Sequence, residues 1–419
     1  MSTVAASATA ALPDRKARVM GVVFLLLAVA IALLFGAGSA GGGTATFQLN
    51  GEGQFFQLPE LNLPASGTAY FIAVVCAFLG GIQLVRGFGT KLYTVFAVVI
   101  ACFVFAFLVW AARGSSLNLL GMLQLTLLRA IPLTLGALSG VLCERAGVIN
   151  IAIEGMMLTA AFVGAIAGST FGLIGGTILA LASGALLGAV LAVLSIRYRV
   201  DQIIAGTVLN IFALGITSYL TARILVEYLD LNNPGTFRPI ALPVLSKIPM
   251  LGPLLFDNNI FVYLTFILVA LIHVGLFRTR WGLRVRSVGE HPRAADTVGI
   301  NVLRVRYRNV ILGGMMAGLA GAYLTLGSVG RFDENMTAGR GFIALAAMIF
   351  GRWNPIGAFG AALVFGFAES LQNKLAILNV PIPSEFLAMA PYLATILVVA
   401  GVVGRARPPA ADGQPYIKE

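Results

Sequence analysis

Apolar runs of about 18 residues or more, separated by short polar or basic breaks, recur along the chain from Val19 to the Val402–Val403 pair. Each is long enough to cross a hydrocarbon layer roughly 30 Å thick. Open strands would leave backbone polar groups unpaired in lipid, and 49 glycines suit close helix–helix contact better than a barrel wall. The pattern predicts spans at 19–38, 68–85, 92–112, 119–142, 148–169, 174–196, 203–222, 260–277, 307–329, 341–351, 355–373 and 386–404. The fold class is an all-α polytopic membrane protein with about 12 transmembrane helices, some broken or short.

The polar breaks set an orientation. Arg15, Lys16 and Arg18 precede the first span and place the N-terminus in the cytoplasm; alternation then puts 20 of the 28 lysines and arginines inside. A basic start, an apolar run and Gly38-Ser39-Ala40 also resemble a cleavable signal peptide, but the run exceeds the usual h-region of about 7–15 residues, so a retained helix is expected.

Composition agrees: 58% hydrophobic and 11% charged residues, with a mean hydropathy of +0.92, exceed what a soluble core can bury. The net charge of +11 is scattered over short loops, as membrane orientation requires, and does not indicate nucleic acid. Cys76 and Cys102 fall in apolar spans and Cys143 at a helix end, so the cysteines read as packing residues. No phosphate-binding G-x-x-x-x-G-K-[ST], H-E-x-x-H or G-x-S-x-G motif is present, and nothing proposes an enzyme, a cofactor or a metal.

Two outer segments differ in kind. Residues 39–67 lack lysine and arginine and read as a flexible loop, whereas 223–259, with five prolines among apolar residues, reads as interrupted structure lying on the membrane. The long inner loop is the most basic segment. Within it Pro292 suits a first helical turn and Gly299 a left-handed end, so about two turns of helix are expected between Glu290 and Gly299. Ala294 and Ala295 leave that helix small enough to enter a groove on another protein, while flanking arginines meet lipid phosphates. On charge alone an ordinary solvated loop anchored by arginines is the better reading.

CERAGVINIAIEGMM, 143–157, sets polar residues in apolar surroundings. Glu144 and Arg145 read as an end cap or a salt bridge to a neighbouring loop. Asn150 and Glu154 share a face whether the chain is helical or extended. Glu154 either caps a neighbouring half-helix or pairs with a buried arginine, or it lines a solute path with Asn150, or it lies outside membrane depth. Asn210 and Glu369 are further intramembrane candidates, though each satisfies a neighbouring helix equally well; Arg340 is placed to meet Glu369 or the binding protein; Phe342 and Trp353 are aromatic faces to test for base stacking, with packing or an interfacial belt the better reading of each.

Four stretches carry a family resemblance: PLTLGALSGVLCERAGVINIAIEGMML (132–158), GEHPRAADTVGI (289–300), GRGFIALAAMIFGRWNPIGA (339–358) and PYLATILVV (391–399), with IPMLGPLLF (248–256) as an outer-loop signature. Their order and spacing resemble the membrane permeases of bacterial ABC importers for branched-chain amino acids, simple sugars and nucleosides. The likeness is to the nucleoside-type branch, and within it to the shorter of two paired permease types.

The resemblance implies a permease core at 119–404 with a cytoplasmic coupling loop at 278–306, a cytoplasmic tail at 405–419, and an N-terminal extension, 1–118, of about three helices outside the pattern. It implies a subunit of the bacterial inner membrane, with both termini cytoplasmic. Its partners would be a separate cytoplasmic ATPase, a second permease chain and an extracytoplasmic substrate-binding protein. On this reading Gly289, Glu290, Pro292, Ala294, Ala295 and Gly299 couple to the ATPase, and Asn150, Glu154, Asn210, Phe342 and Glu369 line the path of a small polar solute. A nucleoside is expected, with a simple sugar or branched-chain amino acid as alternatives. An ion-coupled secondary transporter using Glu154 or Glu369 fits composition and topology equally; the docking helix and the resemblance favour the ATP-driven permease.

Overall fold

The structure, a computed structural model, describes residues 15–39, 41–51, 54–377, 386, 389 and 407–418. It divides into two compact units, Met1–Gly121 with Lys374–Pro381, and Met122–Asn373 with Ile382–Glu419.

The first unit holds α1 (Arg15–Ala30, continued as a wider turn through Gly36), α2 (Ala65–Val85) and α3 (Leu92–Ala111). Glycine lets α1 and α2 touch: a Cβ on Gly80 would lie 3.0 Å from Leu25, and one on Gly21 2.7 Å from Leu84. Phe24, Ile31, Phe35, Ala69, Cys76 and Val99 form the core among the three helices. Residues 39–67 are not the loose loop their composition suggests. β1 (Thr44–Gln48) pairs antiparallel with β2 (Leu61–Pro64) and parallel with β3 (Ser116–Asn118). Ala45 and Phe47 turn inward and Thr44 and Thr46 outward, a period-two pattern too short to stand out among glycines.

The second unit is built on α4 (Leu119–Glu144, from Met122), α5 (Ile153–Ala192), α6 (Gln202–Leu220), α7 (Leu251–Leu255), α8 (Ile260–Arg278), α9 (Arg280–Glu290), α10 (Pro292–Thr297), α11 (Val302–Ala322), α12 (Arg340–Phe350) and α13 (Pro355–Ile377). A straight helix of the 40 residues of α5 would be about 60 Å long at ~1.5 Å per residue, twice a hydrocarbon layer. Gly172, at φ 75°, breaks it, and Gly176 comes back against Gly168, so it is a hairpin of two helices. Its second arm meets α11 backbone to backbone: a Cβ on Gly184 would lie 2.3 Å from the Gly314 carbonyl. α4 and α11 are the buried centre, and the flanks of α6 and α8 are exposed and apolar.

Eight helices among the described residues are long and apolar enough to cross a membrane, with α12 a shorter apolar one. The count of about twelve is not confirmed, and the expected span 386–404 lies outside the described residues except at Phe386 and Met389. Residues 240–258 are interrupted, as their prolines require: β4 (Ile240–Ala241) pairs with β5 (Asp257–Asn258) around the five-residue α7.

The basic loop contains two helices. α10 begins at Pro292, is capped by His291 Nδ1, which accepts from the Ala294 amide at 3.1 Å, and ends at Gly299 with φ 84°. The preceding α9 was not expected. Thr279 caps it, and Gly282, Val285, Val288 and Gly289 turn inward while Leu283 and Arg284 face out.

Candidate functional site

After α4 the chain turns at Gly147, at φ 81°, has no regular structure through 148–151 and re-enters a helix at Ile153. Backbone groups in a non-helical stretch between apolar helices need partners, and polar side chains supply them. Gln202 accepts from the Ile149 amide at 2.7 Å. Asn210 on α6 clamps both sides of the break, accepting from the Gly155 amide at 2.8 Å and donating to the Ile151 carbonyl at 2.9 Å. Asn150, fully buried, accepts from the Ala152 amide and donates to Ser139 Oγ at 3.1 Å.

Glu154 points elsewhere. Its carboxylate accepts from the amides of Gly339 at 2.8 Å and Gly341 at 2.5 Å, at the start of α12. It thus sits in the first turn of its own helix and at the N-terminus of another, where both dipoles favour negative charge. A carboxylate at membrane depth costs roughly 2.5–3.5 kcal/mol, while hydrogen bonds to a charged group contribute about 1.5–3 kcal/mol each, so two of them offset it. Only glycine fits at 341: a Cβ would lie 2.5 Å from the Glu154 amide nitrogen. Asn150 and Glu154 do not share one face, because the break ends before Glu154 and sends the two side chains to α4 and α12 respectively.

One residue along α12 a second polar cluster begins. Arg340 and Arg129 of α4 both donate to one oxygen of Glu369, on α13, at 2.8 and 2.9 Å. Of the two partners the sequence offered Arg340, the structure shows Glu369; Arg129 was missed. Its signal was present, a charge in the apolar run LLRAIPL. The three carry one net positive charge, with side-chain exposures of 36% (Arg129), 17% (Arg340) and 23% (Glu369). Pro132 cannot donate to the Leu128 carbonyl, and the Tyr323 hydroxyl takes its place at 2.9 Å. Phe342, 50% exposed, follows Arg340 by two residues on α12. Trp353 is buried, and its indole nitrogen donates to Glu144.

Around Glu144 the loops converge. Arg145 donates to the carbonyls of Trp353 and Arg352 at 2.9 and 3.2 Å, so the pair binds a neighbouring loop by hydrogen bonds. Burial pulls the Arg145 guanidinium below its ordinary pKa, opposed by the charge of Glu290. A Cβ on Gly289 would lie 2.3 Å from the Arg145 carbonyl, so the end of α9 rests on this turn. Of the two alanines expected on the docking helix, Ala294 is exposed, but Ala295 is buried against Val288, Val302 and Tyr416. With a capped α10 the pair cannot face the same way. Glu290, Ala294 and Gly299 are exposed, Pro292 half-buried and Gly289 buried.

The family model for the permease component of branched-chain amino acid transport systems matches residues 122–403. The guanosine ABC transporter permease NupQ of Bacillus subtilis is 44% identical over 306 residues, which cover 70% of this chain and 95% of that protein. The nucleoside ABC transporter permease NupC of Lactococcus lactis is 40% identical over the same shares. The putative glucose ABC transporter permease TsgC13 of Haloferax volcanii is 33% identical, over 68% of this chain and 92% of that one. No solved structure matches the chain significantly.

Proposed function

The chain belongs to the family of branched-chain amino acid transport system permease components, and from that premise we propose that it is the membrane subunit of an ATP-driven importer for nucleosides. It is a transport component and not an enzyme; ATP is hydrolysed on a separate subunit. The observation that carries the solute class is the 44% identity to a guanosine permease across 95% of that protein's length. A sugar permease is similar at 33%, which makes a simple sugar the second reading.

In this proposal the basic loops face the bacterial cytoplasm, both termini lie inside, and about twelve helices cross the inner membrane. The chain pairs with a second, different permease and receives its solute from an extracytoplasmic binding protein. The Arg129–Glu369–Arg340 cluster and Phe342 border the path: a charged, partly open set of donors and acceptors suits ribose hydroxyls and base edges, and an exposed phenyl ring suits a base face, worth about 1–3 kcal/mol. Asn150, Glu154 and Asn210 act one step back, holding the broken backbone and the α12 N-terminus that present this cluster. α10 is the docking element for the ATPase, with Ala294 on its open face and Pro292 and Gly299 fixing its two ends. Gly289 and Glu290 join it to the inner turn after α4. An ion-coupled mechanism is set aside, since both Glu154 and Glu369 already have fixed donors.

The test is uptake into cells carrying the chain with its neighbouring transport subunits, using labelled guanosine, glucose and leucine. Competition by nucleosides supports the reading; transport of glucose with no nucleoside competition replaces it with the sugar reading.

A further inference from the structure

The tail, residues 407–418, is bound to four separate parts of the second unit. The Ala411 amide donates to the Gly289 carbonyl at 2.9 Å, and the Ala410 amide to the Glu290 carboxylate at 3.2 Å. Buried Arg306, on α11, donates to the Gln414 carbonyl at 2.8 Å. Tyr416, 8% exposed, packs with Val288, Ala295 and Val302, closing α9, α10 and α11 into one small core. Asp412 faces Glu144 at the end of α4, and the Ala411 carbonyl lies 3.1 Å from where a Cβ on Gly147 would stand.

These contacts address a mechanical difficulty. α10 has six residues, far short of the ~12–15 at which an isolated helix holds together, so a push on it would be absorbed by its loops unless something braces it. The tail supplies that brace, linking the residues on either side of α10 to the turn that ends α4. It also forms one wall of an open cleft of about 350 Å³ whose other wall is Glu290, His291, Pro292 and Arg293.

We propose that residues 407–418 are a coupling strap, which fixes α10 to the inner end of α4 so that ATPase movement reaches the membrane helices. The proposal rests on the reading of α10 as the ATPase dock. Tyr416 and Ala411 are positioning residues, acting through α9 and α10 and touching no solute.

The experiment uses the full complex of permeases, ATPase and binding protein in liposomes, with nucleoside uptake and ATP hydrolysis measured together. Tyr416→Ala and removal of residues 407–419 are compared with Tyr416→Phe and with Ala294→Arg. A strap predicts that both strap variants still hydrolyse ATP while uptake per ATP falls about tenfold, the equivalent of ~1.4 kcal/mol of lost coupling, and that Tyr416→Phe stays parental. A merely structural tail would lower uptake and hydrolysis together. Parental uptake per ATP in both strap variants overturns the proposal, and if Ala294→Arg uncouples in the same experiment, the docking reading survives that failure. If Ala294→Arg is itself parental, the docking reading fails and the strap with it. Should the variants not assemble, hydrogen exchange on the parental complex decides: protected amides at Ala410 and Ala411 during turnover support the strap, and exchange there at free-chain rates overturns it.

Discussion

Glu154 and Glu369 are two carboxylates in apolar surroundings held by different means, backbone amides for one and guanidinium groups for the other. Glu154→Gln puts an amide group where an acceptor faces the Gly339 or Gly341 N–H, which removes a charge-assisted bond of about 1.5–3 kcal/mol. Less assembled protein and a lower melting temperature in detergent extracts are the expected outcome. Gly341→Ala should do the same, by about 1–3 kcal/mol of overpacking against the Glu154 backbone. Glu369→Gln instead leaves two arginines facing each other without a counter-charge. Uptake should fall more than abundance, and Arg129→Gln added to it should restore part of the loss, as a double-mutant cycle would register. The polar character of this region was legible in the sequence because charges in apolar runs stand out. Which of them meet was not: a fixed spacing of four says little once the chain breaks at Gly147 and resumes at Ile153.

α10 was legible because its signals are local, a proline at one end and a left-handed glycine at the other. The inward face of Ala295 was not, since it depends on Tyr416 more than a hundred residues away. The two alanines therefore separate in experiment. Ala295→Arg places a guanidinium in a filled core and should lower the amount of protein in the membrane, while Ala294→Arg should leave the amount unchanged and abolish ATP-driven uptake; immunoblots beside uptake assays tell them apart. The tail brings a pH dependence. Burial pushes the Asp412 carboxyl up to about 7 from its ordinary 3.8, with the Glu144 hydrogen bond, the Gly413 amide and the Arg306 charge all opposing the rise. Cys143 and, beyond Arg306, Tyr416 are the other titratable groups around it. A bound form with the raised pKa takes up a proton more readily than the free form, so the part of the tail's hold that this proton supplies is full below about pH 4 and is lost as pH rises through about 7, while the backbone and Tyr416 contacts stay. Fluorescence of Trp353, with Trp110 and Trp281 replaced by phenylalanine, should follow that transition through its neighbour Glu144 and become flat in Asp412→Asn.

At the scale of the molecule, hydrophobic runs were enough to announce a helical membrane protein, because length and apolarity are properties of each segment alone. They did not announce the small sheet of β1, β2 and β3, whose pairing joins residues some seventy positions apart. Nor did they announce the backbone contact of α5 with α11, which needs glycines on two helices to coincide. In the proposed function a nucleoside crosses this bundle at the expense of ATP hydrolysed on another subunit. The most direct test is guanosine uptake into liposomes that contain the reconstituted complex, with binding protein on the outer side and ATP or a non-hydrolysable analogue enclosed. Accumulation with ATP, none with the analogue and none when the ATPase subunit is omitted is the predicted result. Accumulation driven by a proton or sodium gradient in liposomes holding neither ATP nor ATPase would contradict it.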